Sequence, residues 1–277
     1  MGELQLRVAL RGQRSVAVHQ FHQGALRVLR PHYLDDSGQL GYVVVNPGGA
    51  YLDADLYVVD VEVEDGASLL LTTQSATKIY RTPGSFAEQR MSIRLGEGAR
   101  LELAPDQLIA YREASYRQDT RISLHPSSSL VVSEIVTPGW SPDGTAFKYE
   151  ELRLRTEIRV QDRAGGAGLL ALDNVLIRPP SGDVTGLGFM EGRSHLGSLL
   201  VVDPRVDQAL ADELHSLAAP HDALAGVSLT ATVGGTTGLV LRALSDNTEE
   251  LNRLLGACTA HLRRHWYGQE PLNLRKY

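Results

Sequence analysis

The sequence predicts a mainly β protein, its strand layers stacked in β-helical or sandwich-like fashion, with two α-helices in the C-terminal third. Three observations carry that expectation. Strand patterns follow one another from residue 3 to about residue 202 with no helical periodicity between them. Within that run, strand–turn–strand units of hairpin-like shape recur around Gly66-Ala67, Gly98-Ala99 and Ser128-Ser129, at steps of roughly 30 residues. Only from Asp203 onward do helix-like patterns appear, twice, each with capping residues in place. No linker-like stretch splits the chain, so a single domain over residues 1–277 is expected.

In chain order, three strands come first, Leu4–Leu10, Ser15–Phe21 and Ala25–Pro31, punctuated by Gly12 and Gly24. Gly38, Gly41 and Asn46-Pro47-Gly48-Gly49 mark tight turns around a short buried strand, Tyr42–Val45. The repeated units follow. Inside them, Leu69–Arg81 reads as one strand with Leu69, Leu71, Thr73, Ser75, Thr77 and Ile79 on one face. That face is apolar, then hydroxylated, then apolar again. Two readings stay open: an edge or bend whose hydroxyls bond nearby backbone, or a polar cavity inside the β domain. Thr137–Phe147 is a Gly- and Pro-rich loop, strands resume at Glu151–Val160 and Gly168–Ile177, and Pro179–Gly192 is a further loop before the strand Leu196–Val202. A helix over Asp203–Ala219 takes Asp203 as N-cap and Pro204 as its first residue. Two strands, Val227–Val233 and Gly238–Leu244, precede a closing helix over Asp246–Trp266, acidic at its start and basic at its end.

Bulk properties exclude several classes. With 277 residues, 43% hydrophobic and 22% charged, the chain has the composition of an ordinary soluble protein. A net charge of -6 without a basic tract argues against nucleic acid and anionic membranes as partners. No apolar run reaches the roughly 20 residues that span a bilayer, and no signal-peptide pattern opens the chain, so a cytoplasmic location is expected. One cysteine rules out an internal disulfide. Phosphate-binding glycine motifs and a nucleophile elbow are both missing, so nucleotide and esterase chemistry have no support.

Candidate metal ligands are Cys258, His261 and His265, at i, i+3 and i+7 of the last helix, a donor set suited to nickel or zinc. Reaching from i to i+7 spans about two turns, roughly 10 Å, which makes a common ion difficult. The alternative is a buried cysteine beside surface histidines. Asp55 and Glu134 interrupt apolar strands, and each needs a counter-charge or a water-filled space.

The string Leu71-Thr-Thr-Gln-Ser-Ala-Thr-Lys-Ile-Tyr-Arg81 resembles the strand motif of the urease accessory protein UreD (UreH) family, usually LTTQAATKVYR. Leu29-Arg30-Pro31-His32-Tyr33 and Asn46-Pro47-Gly48-Gly49 with Asp55 are similar to two earlier family elements. Gly66-Ala67, Pro105-Asp106 and Tyr116-Arg117-Gln118 follow in the family's order. The likeness covers about residues 26–160. Trp140 and Thr145 stand where the family's loop commonly has an Arg and a Glu, and Ala54 replaces a Gly before Asp55. The missing charge pair leaves its role here to Asp143 or Glu134.

The resemblance implies a non-enzymatic chaperone scaffold for urease maturation, bound to UreF and through it to the GTPase UreG, and passing Ni²⁺ through a water-filled passage to apo-urease. No tightly held cofactor is implied, only transient Ni²⁺. Asp55, Thr73, Ser75, Thr77 and Glu134 are the expected lining of that passage, since oxygen donors hold Ni²⁺ weakly and let it move on. Two rivals are a stacked-β interaction module without nickel business and an enzyme using Asp55 and Glu134 as an acid/base pair.

Overall fold

In a computed structural model, which describes residues 1–161 and 166–274, the chain winds as a β-solenoid. Its elements are β1 (Gly2–Arg11), β2 (Arg14–Gly24), β3 (Arg27–Val28), β4 (Leu40–Val45), β5 (Leu56–Val63), β6 (Ser68–Thr73), β7 (Thr77–Ile79), β8 (Ala87–Leu95) and β9 (Arg100–Ala104). There follow β10 (Leu108–Ala110), β11 (Ser115–Leu124), β12 (Ser129–Val136), β13 (Glu151–Gln161), β14 (Ala167–Ile177) and β15 (His195–Asp203). The C-terminal part holds α1 (Gln208–Ala218), β16 (Leu224–Leu229), β17 (Thr237–Ser245) and α2 (Thr248–Tyr267).

Strands β5, β8, β11 and β13 stack in parallel as one wall, and β4, β6, β9 and β12 as a second. The short β7 and β10 pair in parallel as a narrow third wall, lengthened by the bridges Tyr51–Ile79 and Tyr111–Trp140. The repeated units are therefore not hairpins. β5 and β6 lie in different sheets, as do β8 and β9, and each pairs with its equivalent in the next coil. The period read from the sequence is the length of one coil.

Corner chemistry explains the period. Gly66 and Gly98 adopt φ of 67° and 60°, open to glycine at no steric cost. Ala67, Ala99 and Ser128 are fully buried at the corners, where only a small side chain fits. Backbone N–H groups tie the corners together: Arg100 donates to Ala67 and Ser129 to Ala99, each at 2.8 Å. Along the first wall, inward residues such as Val59, Val61, Ile93, Ile122 and Ile158 form the core. Outward positions carry charge ladders, Arg94 with Glu62 and Arg155 with Asp119.

The second wall continues antiparallel through β15, β17 and β16, and its outer face carries both helices. Leu210, Leu214, Leu251, Leu254 and Leu255 pack there against Val131, Ile135, Leu199 and Leu241. The first helix starts later than its sequence pattern predicts. Asp203 ends β15 fully buried, its carboxylate gripped by Arg205, and Asp207 is the N-cap, accepting from the Leu210 amide. Helix α2 is capped by Asn247 and closed by left-handed Gly268.

A buried charge cluster clamps α2 to the second wall. Arg263 donates to Glu102 Oε1 at 2.7 Å and to Gln39 Oε1 at 3.0 Å, while Arg100 also pairs with Glu102. Gln269 ties the chain beyond α2 to Asp35 and Ser37. The Arg100 guanidinium stacks on the Tyr267 ring at 3.5 Å.

Candidate functional site

The core is interrupted at mid-coil by polar residues that point inward. Gln89 on β8 and Gln118 on β11 sit in register, as do Thr120 on β11 and Thr156 on β13. Thr73 ends β6 and Thr77 opens β7, both on the inner side, and Glu134 occupies an inward position of β12 between Val132 and Val136. With Asp106 from the β9–β10 loop, these groups line an internal cavity of about 90 Å³.

Stacking produces this polar layer. In a parallel solenoid equivalent positions lie above one another, so one polar position per coil becomes a polar stripe along the bore. Part of it is satisfied internally. Tyr116 donates to Gln118, and Gln118 donates to Glu134 Oε1 at 2.8 Å. The Asp106 amide donates to Thr73 Oγ1 at 2.9 Å, and Tyr51 donates to Gln89 at 2.7 Å. Thr120 and Thr156 border the cavity, where their hydroxyls can face water.

Two further cavities share walls with the first. A recess of about 40 Å³ at the β6–β7 corner is lined by Asn46, Thr73, Ser75, Thr77 and Lys78. A cleft of about 380 Å³ lies between Pro105, Asp106, Ser133 and Glu134 on one side and α2 with Pro271, Leu272 and Leu274 on the other. Thr73 and Thr77 border both the recess and the bore, and Asp106 and Glu134 border both the bore and the cleft. No lysine or arginine lines the bore itself among the described residues. Burial pushes the Glu134 carboxyl above its usual range, opposed by the hydrogen bond from Gln118.

The expected lining residues divide. Thr73, Thr77 and Glu134 meet at one cavity. Ser75 is exposed at the corner and lines only the recess, because the stretch expected to be one strand bends at Gln74–Ala76 into β6 and β7. Asp55 is not part of the lining. Its carboxylate takes the amino group of Met1 at 3.1 Å, the Leu52 amide at 2.9 Å and the Tyr57 hydroxyl at 3.1 Å, which together hold it below the ordinary carboxylate range against its desolvation. Burial, with the Asp55 carboxylate beside it, raises Tyr57 to about 12. An acid/base pair of Asp55 and Glu134 is not assembled. Asp143, the other substitute for the missing charge pair, holds its own loop, accepting from Ser141 and the Thr145 amide, which lowers it to about 2.

Cys258 is also separated from its expected partners. It is fully buried in the helix–sheet core, where burial raises its thiol to about 11. His261 and His265 turn instead toward Glu213 of α1. Sequence reasoning missed Gln89, Asp106, Gln118, Thr120 and Thr156. For all but Asp106, which lies in the β9–β10 loop, the signal was a polar residue at an inward strand position, visible once the coil length aligns the strands.

Fold and site together define a β-solenoid whose interior holds a cavity bordered by Asp106 and Glu134, with α2 closing the cleft outside it. The chain belongs to the UreD urease accessory protein family, which it matches over residues 1–276. It is 80% identical to the urease accessory protein UreD of Arthrobacter sp. (strain FB24), covering 100% of this chain and 94% of that protein. The UreD of Paenarthrobacter aurescens (strain TC1) is 74% identical over 100% and 95% of the two chains. That of Staphylococcus aureus (strain bovine RF122 / ET3-1) is 36% identical over 100% and 98%.

Proposed function

We propose that this chain is a scaffold for urease maturation that conducts Ni²⁺ through its bore to apo-urease while bound to UreF and UreG. The observation that carries the proposal is the inward polar stripe, from the recess at Thr73 and Thr77 past Gln118 and Thr120 to Asp106 and Glu134 at the outer cleft. Hydroxyl, amide and carboxylate oxygens are hard, weak donors for Ni²⁺, suited to passing the ion rather than keeping it.

Wall chemistry supports stepwise transit. A passing ion sheds part of its shell and takes wall oxygens in exchange, with two carboxylates at the exit side offsetting its charge.

The test is co-expression with UreF, UreG and urease, followed by size-exclusion chromatography. A stable complex with UreF that recruits UreG in the presence of Ni²⁺ and GTP is expected. A well-folded chain that ignores UreF and leaves urease activation unchanged on deletion would overturn the proposal.

A further inference from the structure

Outside the bore, α1 and α2 bring together Glu213, His261 and His265, whose nearest ligand atoms all lie within 4.8 Å of one another. We propose that this cluster is a separate, exchangeable site for a borderline divalent transition ion of the nickel–zinc class, held on the outer face of the helical pair.

Local structure argues for it. His261 and His265 are i and i+4 on α2, so their rings share one face, with centroids 4.5 Å apart. Glu213 comes from the neighbouring helix, its Oε2 2.8 Å from His261 Nε2. The backbone beneath is rigid. Leu214, next to Glu213, and Leu262, next to His261, are both buried in the helix–sheet core. The three donors thus project from two helices whose spacing is fixed before any ion arrives.

Donor chemistry selects the ion. Two imidazoles and one carboxylate suit nickel, zinc and copper, and suit magnesium or calcium poorly, since those prefer all-oxygen shells. Ligand atoms bound at about 2.0–2.1 Å stand roughly 3.4 Å apart around a tetrahedral ion. Closing from 4.8 Å needs only a side-chain adjustment, available because Glu213 and His265 are exposed. Three protein donors leave coordination positions open to water or to a partner's side chain, so bound metal exchanges. The site staples α1 to α2 and owes nothing to the bore.

The experiment titrates the purified full chain with Ni²⁺ alone and Zn²⁺ alone, with Mg²⁺ as the hard-ion control, by calorimetry and by thermal melting. Wild type is expected to bind one ion that His261→Ala/His265→Ala does not, and to melt higher with Ni²⁺ where the variant does not respond. Glu213→Gln should weaken binding by about tenfold or more, at least the effect of losing an outer-sphere partner. Thr120→Val/Thr156→Val, which alters only the bore, should keep this ion. An unchanged stoichiometry and affinity in the double histidine variant, or equal competition by Mg²⁺, would overturn the proposal whatever becomes of the bore.

Discussion

Replacing Glu102 by leucine probes the clamp that holds α2 and the chain beyond it over the outer cleft. Glu102 Oε1 accepts from Arg100, Arg263 and Gln39, while its Oε2 has no partner, so one oxygen gathers most of the compensation for two buried guanidiniums, with Asp35 a second carboxylate 3.4 Å from Arg263. Its side chain is 3% exposed, as is that of Arg263. Breaking a buried charge cluster by removing one member costs about 3–5 kcal/mol, because the remaining charges lose their counter-ion. The lower end applies here. Arg263 keeps the Asp35 carboxylate, Gln39 and the Glu270 carbonyl, and Arg100 keeps Gln269 and the Tyr267 ring. At about 2–4 °C per kcal/mol for a chain of this size, the melting temperature should fall by roughly 6–12 °C. Urea or thermal unfolding by circular dichroism measures it. The triple variant Arg100→Met/Glu102→Leu/Arg263→Met, which removes every charge of the cluster's centre, should recover to within about 1 kcal/mol of wild type. A single variant that loses less than about 1 kcal/mol, or a triple variant as unstable as the single, would refute this reasoning.

Two further outcomes follow from the same structure. Because burial raises Glu134, its contribution is fully present below the ordinary glutamate range and is lost as pH rises through its folded value. Glu134→Gln, which still accepts from Gln118, should therefore be at least as stable as wild type at pH 7–8, with the gap closing toward about pH 4; a variant markedly less stable at pH 8 would contradict it. Ala54 holds φ of 59° where the family motif has glycine. Left-handed backbone costs a residue with a Cβ about 1–2 kcal/mol, against about 0.4–1 kcal/mol of unfolded-state entropy that glycine adds. Ala54→Gly should raise the melting temperature by about 1–3 °C, and a fall would show that the turn is not strained.

The coil repeat was legible because corner chemistry is local: a left-handed glycine followed by a small buried residue occurs at Gly66-Ala67 and Gly98-Ala99, and buried Ser128 takes the equivalent place one coil on. What those corners connect was not legible, since a hairpin and a solenoid corner use the same residues and differ only in which strand becomes the neighbour. The hydroxyls of Thr73 and Thr77 stood out against a leucine-rich row. Gln118, Thr120 and Thr156 did not, because each lies in a strand whose other side is charged, and alternation alone assigns no face to a threonine. Asp55 misled for a related reason. An acid in an apolar strand needs a partner, and here the partner is the chain's own amino group, distant in sequence. His261 and His265 were identified as candidates, but their third companion sits on another helix and no spacing within α2 could supply it.

The most direct test of the central claim is the nickel content of apo-urease matured by the wild-type complex and by one carrying Thr120→Val/Thr156→Val/Glu134→Leu. These changes remove two hydroxyls and one carboxylate from the lining, leaving Asp106 as the single carboxylate bordering the cavity among the described residues. The chain should fold and assemble with its partners normally, yet urease should recover nickel only at the level reached without the accessory proteins. Full nickel loading through a bore stripped of these three donors would contradict the account.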